Sequence, residues 1–599
     1  MNRKMQTKWL NLLSGAVMLA ALMAIEPAVA ADRYLDTSAS AGLQGSTSPK
    51  WTNAIWSVDI GGTNLTNIAS NDNVFVQVET GKALGTLSIP AVPAKTNYYV
   101  NDFTVGNTNS VTIGGSDFVF NLAGNITVQE QSKLTWEGSG VFSFKPKTTT
   151  VLTIQGSSTN VYNAGASAKS YTMGPLVFGD GYNRLAFGAD QTLAFSNISG
   201  GSSNVIALGT STGAGLVINT AGTGVFDGVI SGSGTLEKKG AGTLALGGPN
   251  TFSGDTTLSA GTLVISNQLA LQNSTLAGNT SGAKIEFGAG ITEFTLGGLG
   301  LGGNIDVALT NQSGAAVRLK VGKNNDTKTC NGALSESGGL TKIGSGTLTL
   351  ATGPHTYTGD TVIEEGRLVF TSSLGNGTYN GSITNEGTLE WNSASSQIFN
   401  GIISGGGNLV KRYSTYTLTL NATNTYSGTT IVSNGILKVA NTGSLSTNTA
   451  LTVVGTNSIV NMNGKEQSCI SVGGSGFVTN GTLTVTSALY PGGSNTVGTL
   501  TLGNLTLAAG SVVYWDYDGA SGDTNKVLGT ATLPSSATVQ VNASGTLPSR
   551  AVLFDCDSIV ATSGVSGWTV AGALPNSFVK VEGTQLLLIN IKGTMISFY

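Results

Sequence analysis

Residues 228–265 read GVISGSGTLEKKGAGTLALGGPNTFSGDTTLSAGTLVI. Leu244 and Leu246 fall on one side of a two-residue alternation, as do Thr256 and Leu258, and then Leu263 and Ile265. Helical spacing is absent. Short period-2 runs broken by Gly, Asn and Ser mark β-strands joined by tight turns. Glycine suits such corners because it takes positive φ without a Cβ clash.

The same text returns twice. Residues 332–370 read GALSESGGLTKIGSGTLTLATGPHTYTGDTVIEEGRLVF, and residues 401–439 read GIISGGGNLVKRYSTYTLTLNATNTYSGTTIVSNGILKV. Leu236, Leu340 and Leu409 correspond, as do Lys238, Lys342 and Lys411. The aromatic position holds Phe252, Tyr357 and Tyr426, and Gly261, Gly366 and Gly435 open the last strand. Three short strands predict about one coil of a solenoid. A single coil cannot bury its apolar side, so coils must stack over a shared core. The expected fold is all-β, predominantly a right-handed parallel β-helix with a less regular N-terminal cap.

These units resemble the autotransporter-associated β-strand repeat in their Gly-x-Gly, Leu-x-Lys, Gly-x-Gly-Thr-Leu-x-Leu, Asn-Thr-Tyr-x-Gly-x-Thr and closing Gly-x-Leu-x-Val elements. The third unit departs from that pattern between Arg412 and Tyr416, where Tyr413 and Tyr416 replace the glycine pair. The surroundings of Trp51 and Trp56, and the segments 463–467 and 489–493, are similar to the flanks of such repeats. The resemblance implies a passenger-like β-helix displayed on, or released from, a Gram-negative type of surface. A self-transporting member would carry a C-terminal membrane barrel with aromatic girdles. Residues 490–599 read instead as short strands with Trp515 and Trp568 as their only tryptophans, so no barrel is expected and Ile596–Tyr599 reads as a closing strand.

At 599 residues the chain exceeds the roughly 250–300 at which single cores stop growing, so it has either several domains or the quasi-one-dimensional build of a solenoid. Charged residues make up 10%, well under the usual share of about 25%. With 40% hydrophobic residues and a net charge of only −3, the composition is not that of a disordered chain. The 29 basic residues are outnumbered by 32 acidic ones and form no cluster, which excludes nucleic acid as a partner. Arg3, Lys4 and Lys8 precede an apolar stretch from Trp9 to Ile25, and Ala28-Val29-Ala30 offers a small-x-small cleavage site. Residues 1–30 are therefore expected to be a signal peptide cut before Ala31, with no transmembrane helix after its removal. The rest divides into a β-rich cap and early solenoid over 31–225, a repeat-bearing β-helix over 226–440, and a continuation or cap over 441–599.

Candidate chemistry is sparse. Cys330, Cys469 and Cys556 are far apart and odd in number, so they read as buried small hydrophobes. His355, the only histidine, stands where the other units have Asn250 and Asn424, and reads as a turn residue tolerating a left-handed backbone. Gly297–Gly303 reads as coil corners and lacks the ending of a phosphate loop. Asp516, Asp518 and Asp523 are spaced like part of a calcium loop but lack its closing glutamate, so a solvated strand and turn is expected. Glu364-Glu365 and Glu237-Lys238-Lys239 read as surface decoration. The recurring Lys238, Lys342 and Lys411 read as solubilising charges that discourage edge pairing, rather than as a binding stripe.

No catalytic, cofactor-binding or metal-binding residue is assigned, and no cofactor is expected. The expected function is an exported, surface or secreted, structural or adhesin-like protein without catalysis. Its expected partners are extracellular glycan, matrix or cell-envelope components. The alternative is a carbohydrate-active β-helix enzyme, a lyase or glycosidase, or a glycan-binding module.

Overall fold

A computed structural model describes residues 102–591 apart from short breaks and, upstream, only separate strands between residues 32 and 100. Trp51, the signal segment and residues 592–599 lie outside the described residues. The chain divides into two compact units, residues 1–284 and 285–599. Among the described residues each is built mainly from strands in parallel ladders.

In the first unit Thr235–Lys239 stacks on Thr256–Leu258, and Thr243–Leu246 stacks on Thr262–Ile265. Leu244 therefore sits on Leu263 and Leu246 on Ile265, and all four are buried. This corrects the expected coil. The strands at 243–246, 256–258 and 262–265 do not make one turn, because the third lies on the first. A coil closes after about 20 residues, the separation at which the Ile230 N–H meets the Asn250 side chain. One repeat unit thus spans two coils, each with three sides.

The stack is already regular upstream of the repeats. Phe103, Ile126, Leu152 and Leu176 align strand over strand, as do Val105, Val128, Ile154 and Phe178. The first seven of these are wholly buried and Phe178 nearly so. Coils here are longer, with the Gln155 and Gln129 side chains paired at a separation of 26 residues.

In the second unit the third repeat is turned by one side relative to the second. Lys342 stacks on Ile363, and Ile363 on Asn385. Lys411 stacks on Trp391, which continues through Phe370 to Leu350. Positions that match in sequence therefore lie on different sides of the stack. Toward the end, Arg550–Val560 still stacks parallel on Thr524–Thr532, but Gln585–Asn590 pairs antiparallel with it and with Ser577–Glu582. Their surface carries Arg550, Lys580 and Glu582 in ion pairs, charges that oppose further strand addition at an edge. Among the described residues no helix is long and apolar enough to cross a membrane.

Candidate functional site

The recurring lysines are not on the surface. Lys238, Lys342 and Lys411 are at most 1% exposed. Each ammonium donates to three backbone carbonyls that close a turn. Lys238 reaches Lys239 O and Gly240 O at 2.8 Å and Ala260 O, on the next coil, at 3.1 Å. Lys342 reaches Ile343 O, Gly344 O and Glu365 O at 2.7, 2.6 and 3.3 Å. Lys411 does the same with Arg412 O, Tyr413 O and Asn434 O. Three N–H donors match three otherwise orphaned acceptors. Burial lowers the pKa of each to about 8. Alternation carried the signal: Leu236 and Lys238 are two residues apart and must share a side, so the charge misled where parity did not.

His355 is buried, and its Nδ1 accepts the Leu334 N–H at 3.1 Å. It does not hold a left-handed backbone, which corrects the expected reason for its presence. It replaces the inward-facing acceptor that Asn250 gives to Ile230 N at 2.7 Å and Asn424 gives to Ile403 N at 2.8 Å. Each asparagine also donates to a carbonyl of the following coil, whereas His355 Nε2 is buried without a partner. Burial lowers the pKa of His355 to about 4, against a weaker opposing effect of Asp306.

The aromatic position is fully packed. The Tyr357 hydroxyl meets Thr361 Oγ1 at 2.8 Å, and Tyr426 meets Thr430 Oγ1 at 2.7 Å. Gly297–Gly303 begins inside the continuous strand Glu293–Leu301. Residues 293–296 of that strand pair with Arg318–Val321, while Leu301 O receives Asn331 N, so the chain changes side within an unbroken strand. Cys330, Cys469 and Cys556 are buried free thiols, and burial raises them to about 11, 12 and 12. Glu364 and Glu365 are exposed, and Glu237 pairs with Lys239 at 3.1 Å.

The carboxylates of 516–523 divide. Asp518 is exposed and caps its own turn, accepting from Ala520 N and Ser521 N. Asp516 and Asp523 are buried, contrary to the solvated expectation. Asp523 accepts Gly498 N at 2.7 Å and Asp516 N at 2.9 Å. Burial raises its pKa to about 7, against those N–H bonds, and the charge of Asp516 adds to the rise. Asp516 accepts from Asn542 Nδ2 at 2.9 Å. Among the described residues no three potential ligands gather around one point that could hold a metal.

Asp523 also fastens a surface feature. Its bond to Gly498 ends a loop that leaves the stack at Pro491, with Gly492 and Gly493 both at positive φ. This loop edges a cavity of about 350 Å³ lined by Thr452, Ser471, Gly473, Tyr490, Gly493 and Ser494 among others. Thr452 pairs with Gly473, and Gly473 with Tyr490, on successive coils. Tyr490 stacks on Tyr514 with centroids 4.3 Å apart and planes 17° from parallel. Burial and Tyr514 raise the pKa of Tyr490, so its phenol stays neutral.

Parallel coils, turns capped from within and a repeating sequence define a β-solenoid repeat protein. Its repeats are of the passenger-associated type: the family described as Passenger-associated-transport-repeat matches residues 231–265, 340–370 and 417–439. The chain is also similar to a protein named Adhesin BmaC autotransporter from Brucella suis biovar 1 (strain 1330), with 34% identity over 161 residues. That stretch is 26% of this chain and 4% of that protein.

Proposed function

We propose that the chain is an exported, surface-displayed scaffold of the adhesin-like kind, working by presentation and contact without catalysis. The observation that carries this reading is where the recurring polar residues go. Lys238, Lys342 and Lys411 are spent on the coil's own carbonyls, and Thr361 and Thr430 on buried tyrosines. Repetition therefore serves the stack, which leaves the outer sides free to vary. Similarity to the passenger-associated repeat and to a protein named as an adhesin supports display. The acidic and imidazole groups that an enzyme would need are engaged with backbone N–H groups at Asp518, Asp523 and His355.

The test is protease shaving of intact producing cells, followed by fractionation and N-terminal sequencing. Display predicts surface-accessible protein beginning at Ala31. Cytoplasmic protein beginning at Met1 would refute it. Reproducible cleavage of a polysaccharide panel, abolished by Asp516→Asn, would overturn the absence of catalysis.

A further inference from the structure

The outer side of the second unit carries one gap in an otherwise filled ladder. Thr452, Gly473, Tyr490, Tyr514 and Gln540 occupy the same outward position on consecutive coils. Adjacent parallel strands lie about 4.8 Å apart, so each side chain rests against the next. Gly473 contributes none. A Cβ built there would come 3.0 Å from Tyr490 Cβ, so any other residue would fill the space beside the ring. One face of Tyr490 is covered by Tyr514, which fixes the ring's tilt. Gly473 lines the cavity and Tyr514 does not, so the cavity lies on the Gly473 side.

The rim is hydroxylated and uncharged. Among the described residues neither the Thr452 nor the Ser471 hydroxyl has a protein partner, and both border the cavity. Ser494 Oγ accepts only a long bond of 3.4 Å from Asn495 Nδ2. No carboxylate, ammonium or guanidinium lines the space. An immobilised aromatic face beside free hydroxyls suits a ligand with C–H groups on its faces and hydroxyls on its edge. A few placed polar groups around an aromatic wall are the usual make-up of a small-molecule site.

We propose that the cavity between Gly473 and Tyr490 binds a neutral saccharide, with one pyranose ring laid on the tyrosine face and its hydroxyls met by Thr452 and Ser471. The absence of cationic groups disfavours sialylated, uronate-bearing or sulfated glycans, which would enter without a counter-charge. The loop held by Asp523 forms the far wall through Gly493 and Ser494. This deepens the adhesin-like reading by naming a ligand class, yet it can fail independently of display.

Binding is measured on the purified full chain by titration with laminarihexaose, mannohexaose and chitohexaose. Sialyllactose and a hexuronate oligomer serve as acidic comparators. The expected result is saturable binding of at least one neutral hexasaccharide. Tyr490→Ala and Gly473→Ala should each weaken it at least tenfold, and Thr452→Val a few-fold, while Tyr182→Ala, an exposed tyrosine of the first unit, leaves it unchanged. Melting curves identify any variant that fails to fold, and Thr452→Val, which keeps shape and β-branching, then carries the test. Binding unaltered by these folded variants, preference for the acidic sugars, or no neutral sugar bound by the parent chain would overturn the proposal. The cell-surface assay is unaffected by any of these results, so loss of this site would leave display standing.

Discussion

A Cβ built on Gly366 would come to 2.9 Å from the Lys342 ammonium, which donates at 3.3 Å to the carbonyl of Glu365 just before it. The glycine and the lysine thus recur together for one reason. The turn carrying Gly366, with φ at +72°, folds down onto a cation rising from the coil before. Lys238 stands in the same relation to Gly261, at 2.8 Å from the Cβ position and with φ at +69°.

Lys342→Met should therefore cost more than a surface lysine does. It leaves carbonyls of Ile343, Gly344 and Glu365 without their donor, at about 1–3 kcal/mol for an unsatisfied buried group. Lys328→Met, which loses only a half-exposed pair with Asp326, should cost less than about 1 kcal/mol. Denaturant titration of the two variants makes the comparison. Equal midpoints would show that the capped turn adds nothing.

Ile363→Asp should damage the chain far more than Val362→Asp. Ile363 is wholly buried below Lys342, and Val362, its neighbour, is partly exposed. An unpaired buried carboxylate costs several kcal/mol. Because each coil depends on its neighbours, limited proteolysis should cut near residues 340–390 in Ile363→Asp alone. Comparable resistance of both variants would reverse the assignment of the strand's sides.

His355 should make its coil acid-sensitive. Its pKa is lowered from 6.5 to about 4, so the unfolded chain binds the proton more readily. Its contribution is full above 6.5 and is lost as pH falls from there toward 4. Protonating Nδ1 would also set a donor against the Leu334 N–H. His355→Asn restores the residue found at 250 and 424, and should make protection of residues 330–375 flat between pH 7 and 4.5. Hydrogen exchange, corrected for intrinsic rate, reads this directly. An unchanged slope would remove His355 from the account.

Asp523 should act with the opposite sign. Its pKa is raised from 3.8 to about 7, so the native chain holds the proton more tightly than the unfolded one. Its contribution is full below 3.8 and is lost as pH rises through 7. Lowering the pH from 8 to 5 should therefore tighten the loop around Gly498, and Asp523→Asn should abolish that trend. Protease susceptibility of residues 492–498 across this range is the measurement. A loop that loosens on acidification would show that the N–H bonds outweigh burial.

Alternation alone determined which residues point inward. Thr256 and Leu258, Thr361 and Ile363, and Thr430 and Val432 are all buried, with the residue between them partly exposed. This holds because period-2 geometry is local and needs no partner to be read. The solenoid class was legible from that alternation together with the recurring text, and the buried thiols from their scarcity and separation. Only the tertiary structure decided what stacks on what. The coil of about 20 residues, the one-side turn between the second and third repeats, and the meeting of Lys342 with Glu365 arise from residues far apart in the chain. The cavity beside Tyr490 has the same origin. It exists because Gly473 happens to lie one coil before the ring, a coincidence set by turn lengths that no local pattern records.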